Sequence, residues 1–377
     1  MLGLYIHVPF CAQKCNYCDF NSYKIKEINE KREYLKSIER EILLYKEEFK
    51  DKEFTSVFLG GGTPSILTAD ELTILMNSIY DNLKIAKGAE ITIECNPGTL
   101  NKDKLKRIKE LGINRLSMGL QVIQNHHLKY IGRIHTYEQF EQNYREAKSI
   151  GIDNINVDLM YSLPNQSFDE WKETLEKIIK LQPSHISAYS LILEEGTKFY
   201  DMYLNKEFEL NDEDSDIKTY EYTIDTLSKN GYHQYEISNY AKGGCECKHN
   251  IVYWKCDNYL GLGPGASGYI SNYRYSNICD VDEYNKCLEG NKKPIEEKNI
   301  LSKKDEIEEF IFMGLRMNEG IDLNDFYNRF NIKFQDKYKD ILDKLKHLNL
   351  IIEQNNRVAL TQKGREISNT VFIEFIE

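Results

Sequence analysis

Residues 4–20 read LYIHVPFCAQKCNYCDF, a short run rich in β-branched and aromatic residues that is followed at once by three closely spaced cysteines. The run 4–10 has the length and composition of one β-strand. Cys11, Cys15 and Cys18 come next, in the spacing C-x3-C-x2-C. The sequence therefore predicts a strand whose carboxyl end leads into a loop of three thiols.

The same kind of run recurs along the first half of the chain, and segments with helical periodicity separate the runs. We predict strands at 4–10, 56–62, 90–96, 115–121, 154–161 and 185–193. We predict helices at 30–50, 70–83, 103–111, 137–150 and 169–181, the second of them capped by Thr68 with Glu71 three positions later. Strand and helix in alternation predict parallel strands joined by crossover helices.

An open doubly wound sheet and a barrel both satisfy this alternation, so the polar residues must decide between them. Residues 60–62 (GGG), Glu94, Gln121 and Asp158 each lie at or near the carboxyl end of a predicted strand. A parallel-sheet core favours Val or Ile at such positions, whereas a barrel collects its active-site residues at this face. The pattern favours an α/β partial barrel of about six βα units with a pocket above the sheet.

Two further regions follow the predicted barrel, which we place at residues 1–231. Residues 232–298 form an aromatic and glycine-rich connecting region, and residues 299–377 form a C-terminal α+β module. Three short helices at 307–317, 323–330 and 338–348 and a hairpin at 350–360 make this module resemble a winged helix. Residues 301–377 carry 12 Lys and Arg against 14 Asp and Glu, so the module lacks the basic surface of a nucleic-acid reader.

The composition of the whole chain is that of a globular protein with a negative charge. Of 377 residues, 41% are hydrophobic, and 49 Lys and Arg against 60 Asp and Glu give a net charge of -11. This charge disfavours a broad nucleic-acid footprint. The sequence contains neither a membrane-length apolar run nor a signal-peptide pattern, so we expect a cytoplasmic protein whose nine cysteines form no disulfide frame.

The three-cysteine loop has three chemical interpretations. Thiolates suit iron–sulfur clusters, and three of them hold three irons of a [4Fe–4S] cube while the fourth iron has no protein ligand. A structural zinc site and incidental thiols are the alternatives. GGGTP at 60–64, at the end of the next predicted strand, favours the cluster, because backbone without Cβ atoms lets a ligand approach closely.

Together, the cysteine loop and GGGTP resemble the radical S-adenosylmethionine superfamily. The resemblance implies that Cys11, Cys15 and Cys18 bind a [4Fe–4S] cluster whose open iron chelates S-adenosylmethionine. It further implies that the reduced cluster donates an electron to the sulfonium, which yields methionine and a 5′-deoxyadenosyl radical.

Nearly the whole chain resembles the oxygen-independent coproporphyrinogen III oxidases and their heme-chaperone relatives of the HemW type. The matching stretches are YIHVPFCAQKCNYCDF at 5–20, LGGGTPS at 59–65, ECNPGTL at 94–100, RLSMGLQ at 115–121, IGRIHT at 131–136, DLMYSLPNQ at 158–166, YEISNYA at 235–241 and HNIVYW at 249–254. By this resemblance, the residues that contact S-adenosylmethionine are Tyr5, Gly61, Gly62, Thr63, Glu94, Gln121, Arg133 and Asp158.

Two departures favour the chaperone type over the oxidase. The oxidases have a fourth cysteine where this chain has Phe20, and they carry a long N-terminal extension where this chain has ten residues before Cys11. The motif HNxxYW at 249–254 is implicated in heme binding in the chaperones, with His249 as the proposed ligand. The alternative for His249 is a role in packing or capping.

We therefore expect a heme chaperone that delivers heme to heme proteins such as respiratory enzymes. Some of these acceptors would be membrane-associated, and the chain would then contact the membrane peripherally. It would also need an electron donor for its cluster. The alternatives are an oxygen-independent coproporphyrinogen III oxidase and, disfavoured by the acidic module, a nucleic-acid-binding regulator. Cys245, Cys247, His249 and Cys256 could also form a second metal site, which the resemblance does not require.

Overall fold

The structure is a computed structural model, and it describes residues 1–25, 27 and 29–376. Its strands are β1 (Leu2–Val8), β2 (Phe10–Cys11), β3 (Tyr23–Lys24), β4 (Glu53–Gly61), β5 (Lys84–Cys95), β6 (Arg115–Gln121), β7 (Asn154–Tyr161), β8 (His185–Ser190), β9 (His233–Glu236), β10 (Asn239–Ala241), β11 (Asn258–Leu262), β12 (Ser267–Ile270), β13 (Tyr273–Asn277), β14 (Ile295–Ile300), β15 (Ile321–Asp322), β16 (Ile351–Gln354) and β17 (Arg357–Leu360).

Helices connect most of these strands. They are α1 (Asn29–Tyr45), α2 (Ala69–Asn82), α3 (Lys102–Glu110), α4 (Asn125–Tyr130), α5 (Tyr137–Ser149), α6 (Phe168–Leu181), α7 (Lys198–Leu204), α8 (Glu213–Lys229), α9 (Lys248–Trp254), α10 (Val281–Glu289), α11 (Lys303–Arg316), α12 (Leu323–Phe330), α13 (Phe334–Lys337), α14 (Lys339–His347), α15 (Gln362–Glu366) and α16 (Ser368–Ile373). Pro64–Ile66 forms one 3₁₀ turn.

Within the described residues, one sheet has the strand order β14-β13-β12-β11-β1-β4-β5-β6-β7-β8-β10-β9. The strands β11, β1 and β4 to β8 pair in parallel, and those outside them pair antiparallel. The six predicted strands are β1 and β4 to β8, in the predicted sequential order. The carboxyl ends of these parallel strands lie along one edge, where polar side chains can meet.

Local sequence explains where several elements begin and end. Thr68 caps α2 as predicted: the Glu71 N–H donates to Thr68 Oγ1, and the Thr68 N–H donates to a Glu71 carboxylate oxygen. The strand predicted to run to Phe10 ends at Val8, because Pro9 offers no backbone N–H. The last predicted barrel strand also ends early, at Ser190.

The connecting region 232–298 contributes strands to both sides of the barrel sheet, which its sequence pattern did not predict. β9 and β10 extend the sheet beyond β8, whereas β11 to β14 extend it beyond β1. The sheet thus continues across residue 231, and the three-part domain division stays a prediction. β15, β16 and β17 form a separate small sheet, and residues 307–375 share their own hydrophobic core. In the described part of the chain, no helix is both long and apolar enough to cross a membrane.

Candidate functional site

A cavity of about 450 Å³ lies at the carboxyl ends of the parallel strands. We refer to it as the polar cavity. It is lined by Cys11, Cys15, Cys18, Gly61, Gly62, Thr63, Glu94, Gln121, Arg133 and Asp158. All the predicted cluster and S-adenosylmethionine residues therefore border one space, except for Tyr5, which lies next to it.

The cysteine loop forms one wall of the polar cavity. Its three thiols are free, and Cys11 Sγ lies 3.4 Å from Thr63 Oγ1. Asn16 fastens the loop to the end of α4: its N–H donates to the Ile131 carbonyl at 2.9 Å, and its amide donates to the Tyr130 carbonyl at 2.7 Å. The loop is thus held in place by backbone contacts, and its thiols remain available as ligands.

The glycines at the end of β4 bring two backbone segments together. Gly61 has a φ of 109°, which favours glycine, and a Cβ there would lie 2.7 Å from the His7 ring. A Cβ on Gly62 would lie 2.7 Å from the Phe10 carbonyl oxygen. The Gly62 N–H donates to the Val8 carbonyl at 2.8 Å. The triplet therefore lets the β4 end pack directly against the segment that carries Cys11.

Two half-buried carboxyl groups face the polar cavity from β5 and β7. Glu94 Oε2 accepts the Gly61 N–H at 3.1 Å, and burial together with the charge of Asp158 raises the pKa of Glu94 to about 8. Asp158 accepts hydrogen bonds from the Asn156 amide at 2.7 Å and the Ser117 hydroxyl at 3.3 Å, and burial raises its pKa. A cationic ligand or ligand hydroxyl groups would stabilise both carboxylates.

Gln121 and Arg133 complete the polar wall. The β6–β7 register shifts between Gly119 and Gln121, and Gln121 has a φ of 76°. Such bulges re-aim side chains at functional sites. Its Oε1 accepts the Tyr189 hydroxyl at 2.8 Å. Arg133 donates to Tyr17 at 2.9 Å and to Asn96, yet its buried Nε has no acceptor among the described residues.

Asn96, Tyr17 and Tyr189 also border this cavity, and the site prediction missed all three. Asn96 and Tyr17 lie inside the motif stretches 94–100 and 5–20, so proximity to a motif was a usable signal for them. Tyr189 lies in β8 without such a motif. Its place in the site follows from the sheet order, which sets β8 beside β7.

A second cavity, of about 470 Å³, adjoins the polar cavity, and Phe20, Gly61 and Glu94 border both. We call it the aromatic cleft, because its walls include Tyr5, Tyr253, Trp254, Tyr259 and Tyr269. Tyr5 belongs to this cleft, and its hydroxyl lies 3.0 Å from His7 Nδ1. Tyr5, which was predicted to contact S-adenosylmethionine, therefore lines the aromatic cleft and not the polar cavity.

His249 is buried behind the cleft and does not line it. Its Nδ1 lies 2.9 Å from the Ser56 hydroxyl and its Nε2 lies 2.8 Å from the Tyr253 hydroxyl. Burial, together with the charge of nearby Arg115, lowers the pKa of His249 to about 3. In this conformation neither ring nitrogen is free for an iron, and the assignment of His249 as a heme ligand stays a prediction.

The residues of the conceivable second metal site do not assemble into one ligand group among the described residues. The Cys247 thiol lies 3.7 Å from a Glu90 carboxylate oxygen, and His249 is engaged by Ser56 and Tyr253. Cys256 lines the aromatic cleft instead.

The donor set of the polar cavity fits an iron–sulfur cluster with a zwitterionic ligand. Three free thiols line one side, two half-buried carboxyl groups lie beside them, and the buried Nε of Arg133 has an unused N–H. Thiolates are soft iron ligands, carboxylates accept from an ammonium or a ribose hydroxyl, and a guanidinium pairs with a carboxylate. These residues match both the metal and a ligand of the S-adenosylmethionine type.

Comparison with known proteins agrees with this chemistry. Residues 5–178 match the radical SAM superfamily, and residues 301–367 match the HemN C-terminal domain. The heme chaperone HemW of Lactococcus lactis is 38% identical, over 99% of this chain and 96% of its own length. The heme chaperone HemW of Bacillus subtilis is 35% identical, over 100% of this chain and 99% of its own length.

A solved structure confirms the predicted fold class. Coproporphyrinogen III oxidase (HemN) from Escherichia coli, a radical SAM enzyme, superposes with a TM-score of 0.87 at 23% identity, covering 100% of this chain and 90% of that one. This likeness establishes the radical SAM α/β fold. The full-length relatives establish the narrower group: the chain belongs to the radical SAM superfamily and, within it, to the family of the HemW heme chaperones.

Proposed function

We propose that this protein is a heme chaperone, which binds a [4Fe–4S] cluster and S-adenosylmethionine in the polar cavity and heme in the aromatic cleft. The observation that carries the proposal is the shared wall: Phe20, Gly61 and Glu94 border both spaces. The full-length relatives named heme chaperones support it. The heme would pass to heme proteins, including membrane-associated ones, and a separate protein would reduce the cluster.

In the polar cavity, each side chain has a defined task. Cys11, Cys15 and Cys18 would hold three irons of the cluster. When bound, the cluster would supply single electrons to the sulfonium of S-adenosylmethionine. Glu94 and Asp158 would accept hydrogen bonds from the ammonium or ribose hydroxyls of that ligand.

The remaining polar residues would orient the ligand and shape its surroundings. Arg133 would pair with the ligand carboxylate, since its Nε has no acceptor in the described part of the chain. Gly61, Gly62 and Thr63 would border it with backbone groups, and Gln121 would offer an amide. Tyr5 would separate it from the cleft.

The aromatic cleft suits a flat apolar ligand. The Tyr253 and Tyr259 rings meet edge to face with centroids 4.6 Å apart, and Tyr269 continues the same wall. Aromatic side chains supply the broad apolar surface that a porphyrin face needs. The stretch HNxxYW would act here mainly through Tyr253 and Trp254, which line the cleft, whereas His249 holds the Tyr253 hydroxyl from behind.

One pair of assays tests the proposal. Anaerobically reconstituted protein should bind one heme per chain with a Soret band that His249→Ala weakens, and it should transfer this heme to an apo heme protein. It should leave coproporphyrinogen III unchanged. Robust conversion to protoporphyrinogen would identify an oxidase instead, and retarded migration of duplex DNA at physiological salt would support a regulator.

A further inference from the structure

The aromatic cleft contains few atoms that could bind a heme iron. His7 lines it, but His7 Nδ1 lies 3.0 Å from the Tyr5 hydroxyl and Nε2 lies 2.7 Å from the Asn21 carbonyl. The Tyr253 and Tyr259 hydroxyls contact His249 and Arg274. The sulfur atoms of Cys256 and Met313 take part in none of the hydrogen bonds described for this part of the chain.

Cys256 occupies an unusual backbone position directly after α9. Its φ is 48°, a conformation that costs most side chains about 1 kcal/mol and that glycine or asparagine adopts more readily. The turn is held by the Cys256 N–H, which donates to the Tyr253 carbonyl at 3.0 Å, and by the Cys256 carbonyl, which accepts from Arg329. The backbone of Cys256 is therefore held at the edge of the aromatic wall, and the residue lines the cleft.

The same cleft has polar groups suited to the carboxylates of a tetrapyrrole. The Trp254 indole Nε1 is buried and has no acceptor among the described residues. Arg274 lines the cleft and uses Nε, Nη1 and Nη2 to contact Glu309 and Tyr259, which leaves further guanidinium N–H groups free. The unpartnered indole N–H and the remaining N–H groups of Arg274, which is paired with Glu309, lie beside an aromatic surface and match a planar amphipathic ligand with carboxylate groups.

We propose that Cys256, rather than His249, is the axial ligand to ferric heme in the aromatic cleft. This assignment rests on the proposed heme-binding function. The step is a ligand exchange: the Cys256 S–H bond breaks and its proton leaves to solvent, an Fe–S bond forms as the bond between the iron and a water molecule breaks, and the iron stays ferric. Met313 on α11 closes the cleft from the C-terminal module, which gives that module a part in holding the cargo.

Burial raises the pKa of the Cys256 thiol to about 12, and Glu309 raises it as well, whereas Arg274 and Arg329 lower it. Without heme the group is therefore a neutral thiol. Iron favours the thiolate form, so heme binding through this sulfur should release one proton per chain.

Cys256→Gly is the decisive variant, because glycine suits the positive φ and so should not disturb folding. Cys245→Ala serves as the control, since Cys245 is also a free thiol but borders neither cavity. Each cluster-loaded protein is titrated with heme, and the absorption of the same protein without heme is subtracted. The ferrous carbonyl adduct is then recorded, because a thiolate ligand shifts its Soret band far to the red.

Wild type and Cys245→Ala should show the thiolate signature. Cys256→Gly should lose it and bind heme about tenfold more weakly or worse, and Cys256→His should replace it with an imidazole-type spectrum. An unchanged spectrum in Cys256→Gly refutes the ligand assignment but leaves the chaperone function standing. An imidazole-type spectrum in wild type that only His249→Ala removes transfers the ligand role to His249. Absence of any heme binding by wild type overturns the proposed function itself.

Discussion

Glu94→Gln should remove most of the pH dependence of S-adenosylmethionine binding below pH 8. The half-buried Glu94 carboxyl lines the polar cavity close to Asp158, and desolvation together with the charge of Asp158 raises its pKa to about 8. At neutral pH, the free protein therefore carries a protonated Glu94. A cationic ligand binds better to the carboxylate, so binding must expel this proton, and the affinity should rise with pH.

The size of the effect follows from the pKa. At pH 6 about one Glu94 in a hundred is ionised, and at pH 8 about half are, so the apparent affinity should rise about fiftyfold between these values. This corresponds to roughly 2.3 kcal/mol of binding free energy. Glutamine has no proton to lose, so the variant should match the weak affinity of the wild type at low pH and lack the gain at high pH.

Calorimetric titration of the cluster-loaded protein measures the effect directly. The ligand's own amine also titrates in this range, so the informative quantity is the ratio of wild-type to variant affinity at each pH, in which that contribution cancels. Glu194→Gln is the matched control, because Glu194 borders the same cavity from an exposed position. A wild-type slope in Glu94→Gln would refute the assigned role of this carboxyl.

Three further substitutions test the structure around the two cavities. Gly62→Ala places a Cβ 2.7 Å from the Phe10 carbonyl oxygen. It should push the segment that carries Cys11 away and lower the amount of iron bound per chain after reconstitution. Full iron loading of this variant would contradict the packing. Glu41 is buried, and its pKa is raised to about 7. The native state therefore keeps a proton that the unfolded chain loses, and the free energy of unfolding should fall by up to about 3 kcal/mol as the pH rises from 4.5 to 7. Urea unfolding should show a flatter pH profile for Glu41→Gln, and an unchanged profile would exclude this origin. Gly320 lies in the C-terminal module with a φ of 69°, which alanine adopts at a cost, so Gly320→Ala should destabilise this module and lower the unfolding temperature of the protein. An unchanged unfolding temperature would show that this turn can relax.

The sequence was sufficient to predict the barrel strands and the polar cavity, for a physical reason. Parallel strands must end on the same side of a sheet, so Glu94, Gln121 and Asp158 could be brought together without knowledge of their contacts. The cysteine loop was equally readable, because metal ligands on a short loop need no tertiary information. These predictions depended on local spacing and on one rule of topology.

The aromatic cleft could not be predicted in this way. It exists because β11 pairs with β1, some 250 residues earlier in the chain, and no local periodicity specifies that partner. The burial of His249 has the same origin. Its ring lies against Gly3 of β1, where a Cβ would come within 3.2 Å, and against Ser56 of β4. The resemblance suggested a ligand, whereas in this conformation the packed histidine contacts the Tyr253 hydroxyl.

The contact between the two cavities links the cysteine loop to the cleft through a short chain of hydrogen bonds. Tyr5 contacts His7, His7 contacts the Asn21 carbonyl, and Asn21 lies three residues after the last cysteine of the loop. Asn21 and Phe20 are themselves part of the cleft wall. Any ligand that fixes Cys18 therefore also fixes the adjoining edge of the cleft. A cluster loop beside the proposed heme cleft is consistent with this geometry, because the same loop that would hold iron at one end would form part of the proposed cargo site at the other.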